Sequence, residues 1–336
     1  MMKLLPPSCY NGLNLPHIAA QEELEMEQYE VVIVGGGPAG LTAGLYTSRA
    51  KQRSLLIEGK WPGGQLRNTE LIEDYPGFES IKGAELADRM ENQVRKLGLE
   101  ILLDNVICIR PEGNWKRVQT ENGKEFLAKA VIVTSGGEPR RLGVPGEEEL
   151  AGRGVSYCAI CDGAFFEDMD VAVVGGGDSA VEEAVFLTRF ASKVYLMHRR
   201  SEFRAQSVAV ERATSNSKIE IMLDTTVESI NGADEVESLT ITRRGESQEL
   251  KVSGVFIFVG FMPNTELFCG HVEHDPRGYI VTNDSMETSV RGIYAAGDVR
   301  AQLARQITTA VGDGTTAAIA AGQFIENFED IETIDV

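Results

Sequence analysis

The sequence has no long hydrophobic run and is poor in basic residues. No stretch approaches 18 consecutive apolar residues, so no segment is expected to cross a membrane. Lys and Arg number 32 against 51 Asp and Glu, which gives a formal net charge of −19 at pH 7. Binding to nucleic-acid phosphates needs clustered basic side chains, so this balance argues against a nucleic-acid partner.

Cysteine and histidine are also scarce. Five cysteines in 336 residues do not form the disulfide framework of a small secreted protein, and four histidines offer few zinc ligands. Cys269, His271 and His274 lie close together, but their spacing matches no structural zinc class well. Only Cys158 and Cys161 have a spacing with chemical meaning, and this Cys-x-x-Cys predicts a redox-active dithiol in a cytoplasmic protein.

The first 28 residues lack the features of a targeting sequence. Segment 1–28 contains three prolines, no arginine and the acidic stretch Glu22–Glu27. Its apolar part is too short and too broken for a signal peptide, and a mitochondrial presequence would be rich in arginine. We interpret it as a disordered extension, with order beginning at Tyr29, or as sequence upstream of a true start at Met26.

Two βαβ patterns follow one another along the chain. The first has the strand Glu30–Val34, a glycine-rich turn, a helix and the strand Ser54–Ile57. The second has the strand Val171–Val174, a glycine-rich turn, a helix and the strand Lys193–Met197. Short β-branched runs of this kind are typical of buried parallel strands. The repeat predicts an α/β fold with two Rossmann-like dinucleotide-binding domains.

The first glycine-rich turn is a Gly-x-Gly-x-x-Gly fingerprint between a strand and a helix. Gly35 permits the tight turn, Gly37 lets backbone amides approach a pyrophosphate, and Gly40 allows the helix and strand to pack closely. The helix N-terminus adds partial positive charge. Glu58 ends the second strand, where a carboxylate bonds ribose hydroxyls. These features predict a dinucleotide site.

The second fingerprint, at 175–180, ends in alanine, and basic residues follow its second strand. Arg199, Arg200 and Arg204 are placed to neutralise a 2′-phosphate, which favours NADP(H) over NAD(H). The alternative is a solvated basic edge. Three arginines within six residues of so acidic a chain favour the phosphate site.

The dithiol Cys158–Cys161 lies just before the second fingerprint. Half of a zinc site is the alternative, but it would need ligands that the chain hardly supplies. The neighbouring Asp162 is a candidate proton donor or acceptor for thiol chemistry, and a helix start there would lower a thiol pKa. A dithiol between two nucleotide units suggests electrons that pass from one cofactor, through another, onto sulfur.

The order of these motifs resembles that of the low-molecular-weight thioredoxin reductases, from about Tyr29 to Asn327. The motifs that carry the resemblance are Gly35–Gly40, Gly63–Leu66, Cys158–Asp162, Gly175–Ala180, His198–Arg204, Ala295–Asp298 and Arg305–Gln306. The resemblance implies FAD and NADPH as cofactors, thioredoxin or a thioredoxin-like protein as partner, and a homodimer.

The resemblance also implies which residues bind and react. FAD would be bound by Gly35, Gly37, Pro38, Ala39, Gly40, Glu58, Gly63, Gly64, Gln65, Leu66, Asp298, Arg305, Gln306 and Ile307. NADPH would be bound by Gly175, Gly177, Asp178, Ser179, Ala180, His198, Arg199, Arg200 and Arg204. Cys161 would face the flavin, Cys158 would attack the disulfide of thioredoxin, and Asp162 would serve as acid and base.

A split domain is implied as well. Residues 29–140 and 265–336 would form a discontinuous FAD domain, and residues 141–264 an inserted NADPH domain that carries the dithiol. In this family the nicotinamide and the disulfide take turns beside the flavin, so the inserted domain must rotate. We expect the hinges near Arg140–Gly143 and Gly260–Asn264.

Three other functions fit the same scaffold. A flavin dithiol oxidase and a reductase fed by ferredoxin are disfavoured by the basic segment His198–Arg204, which predicts a working NADPH site. A non-catalytic NADP(H)-sensing flavoprotein is disfavoured by the intact dithiol and by Asp162.

Overall fold

A computed structural model describes residues 26–69, 71–268 and 270–328. The strands are β1 (Glu27–Val34), β2 (Ser54–Glu58), β3 (Leu71–Ile72), β4 (Ile81–Lys82), β5 (Glu100–Leu103), β6 (Val106–Glu112), β7 (Trp115–Thr120), β8 (Glu125–Val133), β9 (Gly137–Pro139), β10 (Val155–Ser156), β11 (Asp170–Gly175), β12 (Lys193–Met197), β13 (Ile219–Met222), β14 (Thr225–Asn231), β15 (Ser238–Arg243), β16 (Glu246–Lys251), β17 (Gly254–Phe258), β18 (Phe261–Pro263) and β19 (Ile293–Ala295). The α-helices are α1 (Pro38–Arg49), α2 (Gly83–Lys96), α3 (Ala159–Asp162), α4 (Asp178–Leu187), α5 (Ser207–Ser215) and α6 (Ile307–Glu326). Among the described residues, no helix has the length and apolarity that a membrane span would need.

The first sheet joins segments from both ends of the chain. Its strands run in the order β5-β2-β1-β8-β7-β6, and β19 pairs with β8 in parallel. Strand β8 is long enough to pair with β7 through its first half and with β19 through its second. Val31, Ile33 and Ile132 are fully buried, as expected for parallel strands covered on both faces. The sheet is therefore complete only when β19 pairs with β8.

The second sheet is built from the middle of the chain. Its order is β10-β17-β11-β12-β13, and all neighbours are parallel. A three-stranded antiparallel sheet, β14-β15-β16, contributes Ile230, Leu239 and Ile241 to the same apolar core. Together with the first sheet, these elements confirm the predicted α/β fold with two Rossmann-like units.

The N-terminal strand starts earlier than the sequence predicted. Strand β1 begins at Glu27 because Glu27 and Gln28 already pair with Phe126 and Leu127 of β8. The expectation of a disordered segment is therefore wrong for Glu27 and Gln28, and its first 25 residues lie outside the described residues.

The chain passes between the two units twice, and the two passages lie side by side. Strand β9 leads out of the first unit and β18 leads back, and they pair antiparallel, with Gly137 opposite Pro263. Two backbone hydrogen bonds extend this ribbon, from Arg140 N to Gly260 O (2.9 Å) and from Asn264 N to Gly136 O (3.0 Å). The first predicted hinge segment begins directly after β9, and the second contains β18.

A buried glutamate ties the first passage to the dithiol segment. The Glu147 carboxylate accepts the backbone N–H groups of Leu142 (2.9 Å) and Gly143 (2.7 Å) and the hydroxyl of Tyr157 (2.8 Å). Glu147 is only 2% exposed. A buried carboxylate is tolerated where donors satisfy it, and this one joins the chain after β9 to the residue before Cys158.

Candidate functional site

The first fingerprint is packed on one side and open on the other. Gly35 has φ 105°, and a Cβ on Gly35 would collide with the backbone of Thr134 at the end of β8. A Cβ on Gly40 would collide with the carbonyl of Gly35, whereas one on Gly37 would meet nothing within 4 Å. The turn is therefore held tightly against the sheet and still leaves room at Gly37, as a pyrophosphate requires. Pro38 begins α1, where its missing N–H is not needed.

A second loop lies against this turn. The N–H of Gly63 donates to the carbonyl of Gly36 at 2.7 Å, and a Cβ on Gly64 would lie 3.0 Å from the Cα of Gly37. The Glu58 carboxylate accepts the N–H groups of Gly36 (2.5 Å) and Lys60 (3.0 Å), which orients it at the fingerprint. The structure thus brings together the predicted residues from β2, the fingerprint and the loop at 63–66. Leu66 is buried beneath them, and Gln65 is exposed and donates to Gly137 O at 3.3 Å.

The C-terminal part of the chain completes this site. Gly297 packs against Ala39 of α1, which places the next residue, Asp298, beside the fingerprint. Burial raises the pKa of Asp298 to about 6; the carboxylate of Asp313 contributes to the rise and Arg305 opposes it. A half-buried carboxylate in this state suits a hydrogen bond to a neutral hydroxyl group.

Arg305 has buried polar atoms without partners. Its Cζ lies 4.0 Å from the ring centre of Tyr279 and 5.6 Å from that of Phe261. Its Nε and Nη2, and Nε2 of Gln302, are buried and have no hydrogen-bond partner among the described residues. Buried donors of this kind are normally satisfied, so these atoms indicate a polar ligand at the site. Gln306 caps α6, where its N–H donates to Thr309 Oγ1 at 3.1 Å, and Ile307 begins the helix.

Asp313 supports the site but was missed by sequence analysis. Its carboxylate accepts the N–H of Gly297 at 3.1 Å, and Arg300 Nη1 lies 3.1 Å from Oδ1 and 3.2 Å from Oδ2. Arg300 Nε donates to Thr282 Oγ1 at 3.0 Å. Asp313 is the one charged residue in the first five turns of α6, and that could have identified it.

The second fingerprint repeats the geometry of the first. A Cβ on Gly175 would collide with Ala180 and with the carbonyl of Phe258, whereas one on Gly177 would meet nothing within 4 Å. Asp178 and Ser179 are exposed at the first turn of α4, and Asp178 Oδ1 accepts the N–H of Gln206 at 2.7 Å. This turn too is packed toward its sheet and open toward solvent.

The basic segment curls over the second fingerprint. The N–H of Arg204 donates to the carbonyl of Gly176 at 2.7 Å, and His198 is buried and stacked on Phe203. Burial lowers the pKa of His198, and the charges of Arg204, Arg200 and Arg199 lower it further, so its ring is neutral at pH 7. The three arginines are exposed and form no salt bridge within the described residues.

The two dithiol sulfurs are joined as a disulfide. Cys158 and Cys161 have an S–S distance of 2.13 Å and a Cα–Cα distance of 5.3 Å. Cys158 caps the short helix α3, and the N–H of Cys161 donates to Cys158 Sγ at 3.2 Å. Both cysteines are half-buried, while Ile160 between them is 55% exposed. The disulfide is therefore reachable, and an N–H directed at Cys158 favours its thiolate after reduction.

Asp162 lies within the same segment as the disulfide. The hydroxyl of Ser156 donates to Asp162 Oδ2 at 2.6 Å. Burial raises the pKa of Asp162; the carboxylate of Asp74 also raises it, and the bond from Ser156 opposes the rise. Asp74 follows β3 in the first unit, so the disulfide segment faces that unit. Ser156 was not predicted from the sequence. Cys269 lies outside the described residues, and no group of three or more possible metal ligands occurs among the described ones.

Comparisons with known proteins agree with this arrangement. A family model of the pyridine nucleotide-disulphide oxidoreductases matches residues 29–314. The chain belongs to the pyridine nucleotide-disulphide oxidoreductase family. Its relatives in that family include thioredoxin reductases, and the one from Bacillus subtilis (strain 168) is 48% identical over 309 residues, which is 91% of this chain and 98% of the relative.

Solved structures give the same result. The thioredoxin reductase from Streptococcus pyogenes MGAS5005 is 46% identical with a TM-score of 0.87, over 90% of this chain and 99% of that one. The Lactococcus lactis thioredoxin reductase, described as being in the FR conformation, is 45% identical with a TM-score of 0.62. The match covers 89% of this chain and 100% of that one.

Proposed function

We propose that this protein is an NADPH-dependent thioredoxin reductase that carries FAD. One observation carries the proposal: a disulfide with an adjacent half-buried carboxylic acid, Asp162, lies in a segment that faces Asp74 of the other unit of the chain. Membership of the family and the relatives named thioredoxin reductase support the same activity.

Residues of the first unit are suited to hold FAD. The open space at Gly37 and the N-terminus of α1 fit a pyrophosphate, and Glu58 and Asp298 fit ribose and ribitol hydroxyls. The unsatisfied donors of Arg305 and Gln302 would find partners on the cofactor. When bound, FAD would accept two electrons from NADPH and deliver them to the disulfide. These assignments support a flavin domain made of 29–140 and 265–336.

Residues of the second unit are suited to NADPH. Gly177 leaves space for the pyrophosphate. Arg199, Arg200 and Arg204 can direct their guanidinium groups at a 2′-phosphate because no carboxylate of the described residues forms a salt bridge with them. His198, neutral and with an unpartnered Nε2, would offer a hydrogen bond to the nucleotide. This supports residues 141–264 as the NADPH domain.

The two cysteines are assigned different roles. Cys158 is the attacking thiolate, because the N–H of Cys161 points at its sulfur. Cys161 forms the second half of the disulfide and faces the cofactor. Asp162 gives a proton to sulfur when the disulfide is reduced and takes one when Cys158 attacks. Each cycle moves two electrons and two protons onto the disulfide of thioredoxin.

Movement between the units is part of the proposal. The Streptococcus and Lactococcus structures are almost equally identical to this chain but differ in TM-score, 0.87 against 0.62. Equal sequence similarity with unequal overall superposition supports a difference in how the two units are arranged. The side-by-side strands β9 and β18 would let the inserted unit turn about one ribbon.

Anaerobic absorbance spectroscopy of the purified holoprotein tests this function. We expect NADPH, and NADH much less, to bleach the flavin band, and oxidised thioredoxin to restore it. Bleaching without recovery on addition of thioredoxin would contradict the proposal. Bleaching by a small dithiol rather than by NADPH, with recovery on addition of oxygen but not of thioredoxin, would instead indicate the oxidase. The homodimer and the cytoplasmic location stay predictions, and sedimentation velocity would test the former.

A further inference from the structure

Ser156 lies between the acid and the nucleophile of the site. It ends β10, two residues before Cys158, and is 4% exposed. Its Oγ is 2.6 Å from Asp162 Oδ2 and accepts the backbone N–H of Cys158 at 3.1 Å. One hydroxyl therefore contacts both ends of the segment that carries the disulfide.

The single proton of this hydroxyl goes to Asp162. Oγ also lies 3.3 Å from the carbonyl oxygen of Cys158, but a hydroxyl has only one hydrogen to give. The contact of 2.6 Å with the carboxylate has the length of a charge-assisted hydrogen bond. The N–H of Cys158 then occupies a lone pair of Oγ, which fixes the direction of the hydroxyl proton.

We propose that Ser156 is a positioning residue for the acid–base step at the disulfide. It holds the Asp162 carboxyl group against the segment of Cys158 and stabilises its ionised form. The inference rests on the proposed function, since it assigns a residue to the proton transfer of that reaction. Ser156 itself exchanges no proton with substrate.

The ionised form needs this support because of its surroundings. Asp162 is half-buried, and the Asp74 carboxylate faces it across the units and repels a second negative charge. Within its own segment the neighbouring titratable groups are the Cys158 and Cys161 thiols after reduction. Ser156 is the side chain that donates to it. Without this donor, burial and Asp74 would act unopposed.

The proton balance shows when this matters. Reduction of the disulfide breaks one S–S bond with two electrons and needs a proton at Cys158, which protonated Asp162 can supply. Before it attacks, Cys158 must return its proton to an ionised Asp162 and become a thiolate. The attack forms a mixed disulfide and breaks the S–S bond of thioredoxin, which leaves one thioredoxin sulfur as a thiolate. Ser156 favours the ionised state of Asp162 and so makes the base available at neutral pH.

The test is the pH dependence of thioredoxin reduction in Ser156→Ala. The ionised base is required, so a higher pKa of Asp162 moves the acidic limb of kcat/KM upward, by about one pH unit for the loss of one charged hydrogen bond. Ser156→Thr, which keeps the hydroxyl, should retain the original limb. Ser238→Ala is the matched control. Ser238 is also buried, at 3% exposed, and its hydroxyl donates to a carboxylate, that of Glu249, at 2.7 Å, but it lies far from the dithiol segment in sequence.

A second measurement does not depend on thioredoxin. The reduced protein is alkylated with iodoacetamide across pH, and the reactivity of Cys158 is followed by mass spectrometry. Ser156→Ala should shift this profile in the wild-type background and leave it unchanged in the Asp162→Asn background. An equal shift of the alkylation profile in both backgrounds would overturn the inference. So would an acidic limb of kcat/KM that does not move in Ser156→Ala, or one that moves in Ser156→Thr. Wild-type protein inactive with thioredoxin at every pH would overturn the proposed function instead.

Discussion

Asp313 and Arg300 form an ion pair of 3.1 Å that clamps the turn at Gly297 to helix α6. Their side chains are 11% and 15% exposed, so the pair is shielded from water. The same carboxylate accepts the N–H of Gly297, next to Asp298. A helix near the end of the chain thereby holds a turn of the proposed flavin site.

Replacement of Asp313 should lower the free energy of unfolding more than replacement of Arg300. Asp313→Ala loses the bond to Gly297 and leaves Arg300 unpaired, so we expect a loss of about 3–5 kcal/mol in the free energy of unfolding. Arg300→Ala leaves the Asp313 carboxylate without its cation and loses the bond to Thr282, but it keeps the bond to Gly297. Its effect should therefore be smaller by the value of that one hydrogen bond, ~1 kcal/mol. Urea unfolding measures the loss, and the flavin retained after gel filtration should fall in the same order. Equal losses in the two variants would contradict the clamp.

Cys158→Ser separates the two halves of the reaction. NADPH should still bleach the flavin, because the nucleotide and flavin sites are unchanged. Reduction of thioredoxin should fall to the uncatalysed background, because serine does not exchange with a disulfide. Stopped-flow absorbance measures the first step and steady-state turnover the second. Thioredoxin turnover that survives in this variant would show that the role assigned to Cys158 is wrong.

Arg199→Ala with Arg200→Ala should change the preference between nucleotides. Loss of two charge-assisted contacts to the 2′-phosphate is expected to raise the KM for NADPH by about 10–100-fold, with little effect on NADH. Arg212→Ala, an exposed arginine of α5, is the control and should leave both values unchanged. An unaltered ratio in the double variant would defeat the assignment of these arginines.

The stability of the apoprotein should depend on Asp298 and on pH. Its pKa is raised to about 6 in the fold, so its protonated form stabilises the fold below about pH 4, and this contribution is lost as pH rises through 6. Asp298→Asn should therefore stabilise the flavin-free protein at pH 7.5 by about 2–3 kcal/mol and have little effect at pH 4. Urea unfolding at the two pH values tests this. Exposed Asp284→Asn should change neither value, and a destabilised Asp298→Asn at pH 7.5 would refute the expectation.

Glu147→Gln should loosen the join between the first passage and the dithiol segment. The amide replaces one accepting oxygen by a donor that faces N–H or O–H groups, so about 1–3 kcal/mol of stability should be lost. The midpoint temperature of thermal unfolding and the rate of thioredoxin turnover should both decrease. Glu148→Gln, whose side chain is 82% exposed, is the control. Wild-type stability in the Glu147 variant would argue against this join.

Local patterns explain how much of the fold could be predicted. Each βαβ unit is encoded by an apolar run and glycines within a few residues, and the strand Lys193–Met197 was predicted with its observed bounds. The sheet β14-β15-β16 was not predicted, because β16 is almost wholly exposed and carries no apolar run. The pairing of β9 with β18 joins residues far apart in sequence, which no local pattern can indicate.

The supporting residues of the site escaped prediction for the same reason. Fingerprint glycines, arginines and cysteines carry recognisable spacing, but Ser156 and Asp313 act through single contacts that only the folded chain brings together. Strand β8 also pairs with β7 through its first half and with β19 through its second, and no local pattern indicates this change of partner.

The pairing of β19 with β8 has a consequence for biosynthesis. The second sheet is encoded by continuous sequence, so all its strands are synthesised before β19 and α6. The inserted unit can then fold first, while the sheet that contains the earlier strands β1 and β8 stays incomplete until β19 is made. A stalled or truncated nascent chain would thus present a finished central unit beside an unfinished sheet, and chaperones would be needed for the N-terminal strands rather than for the middle of the chain.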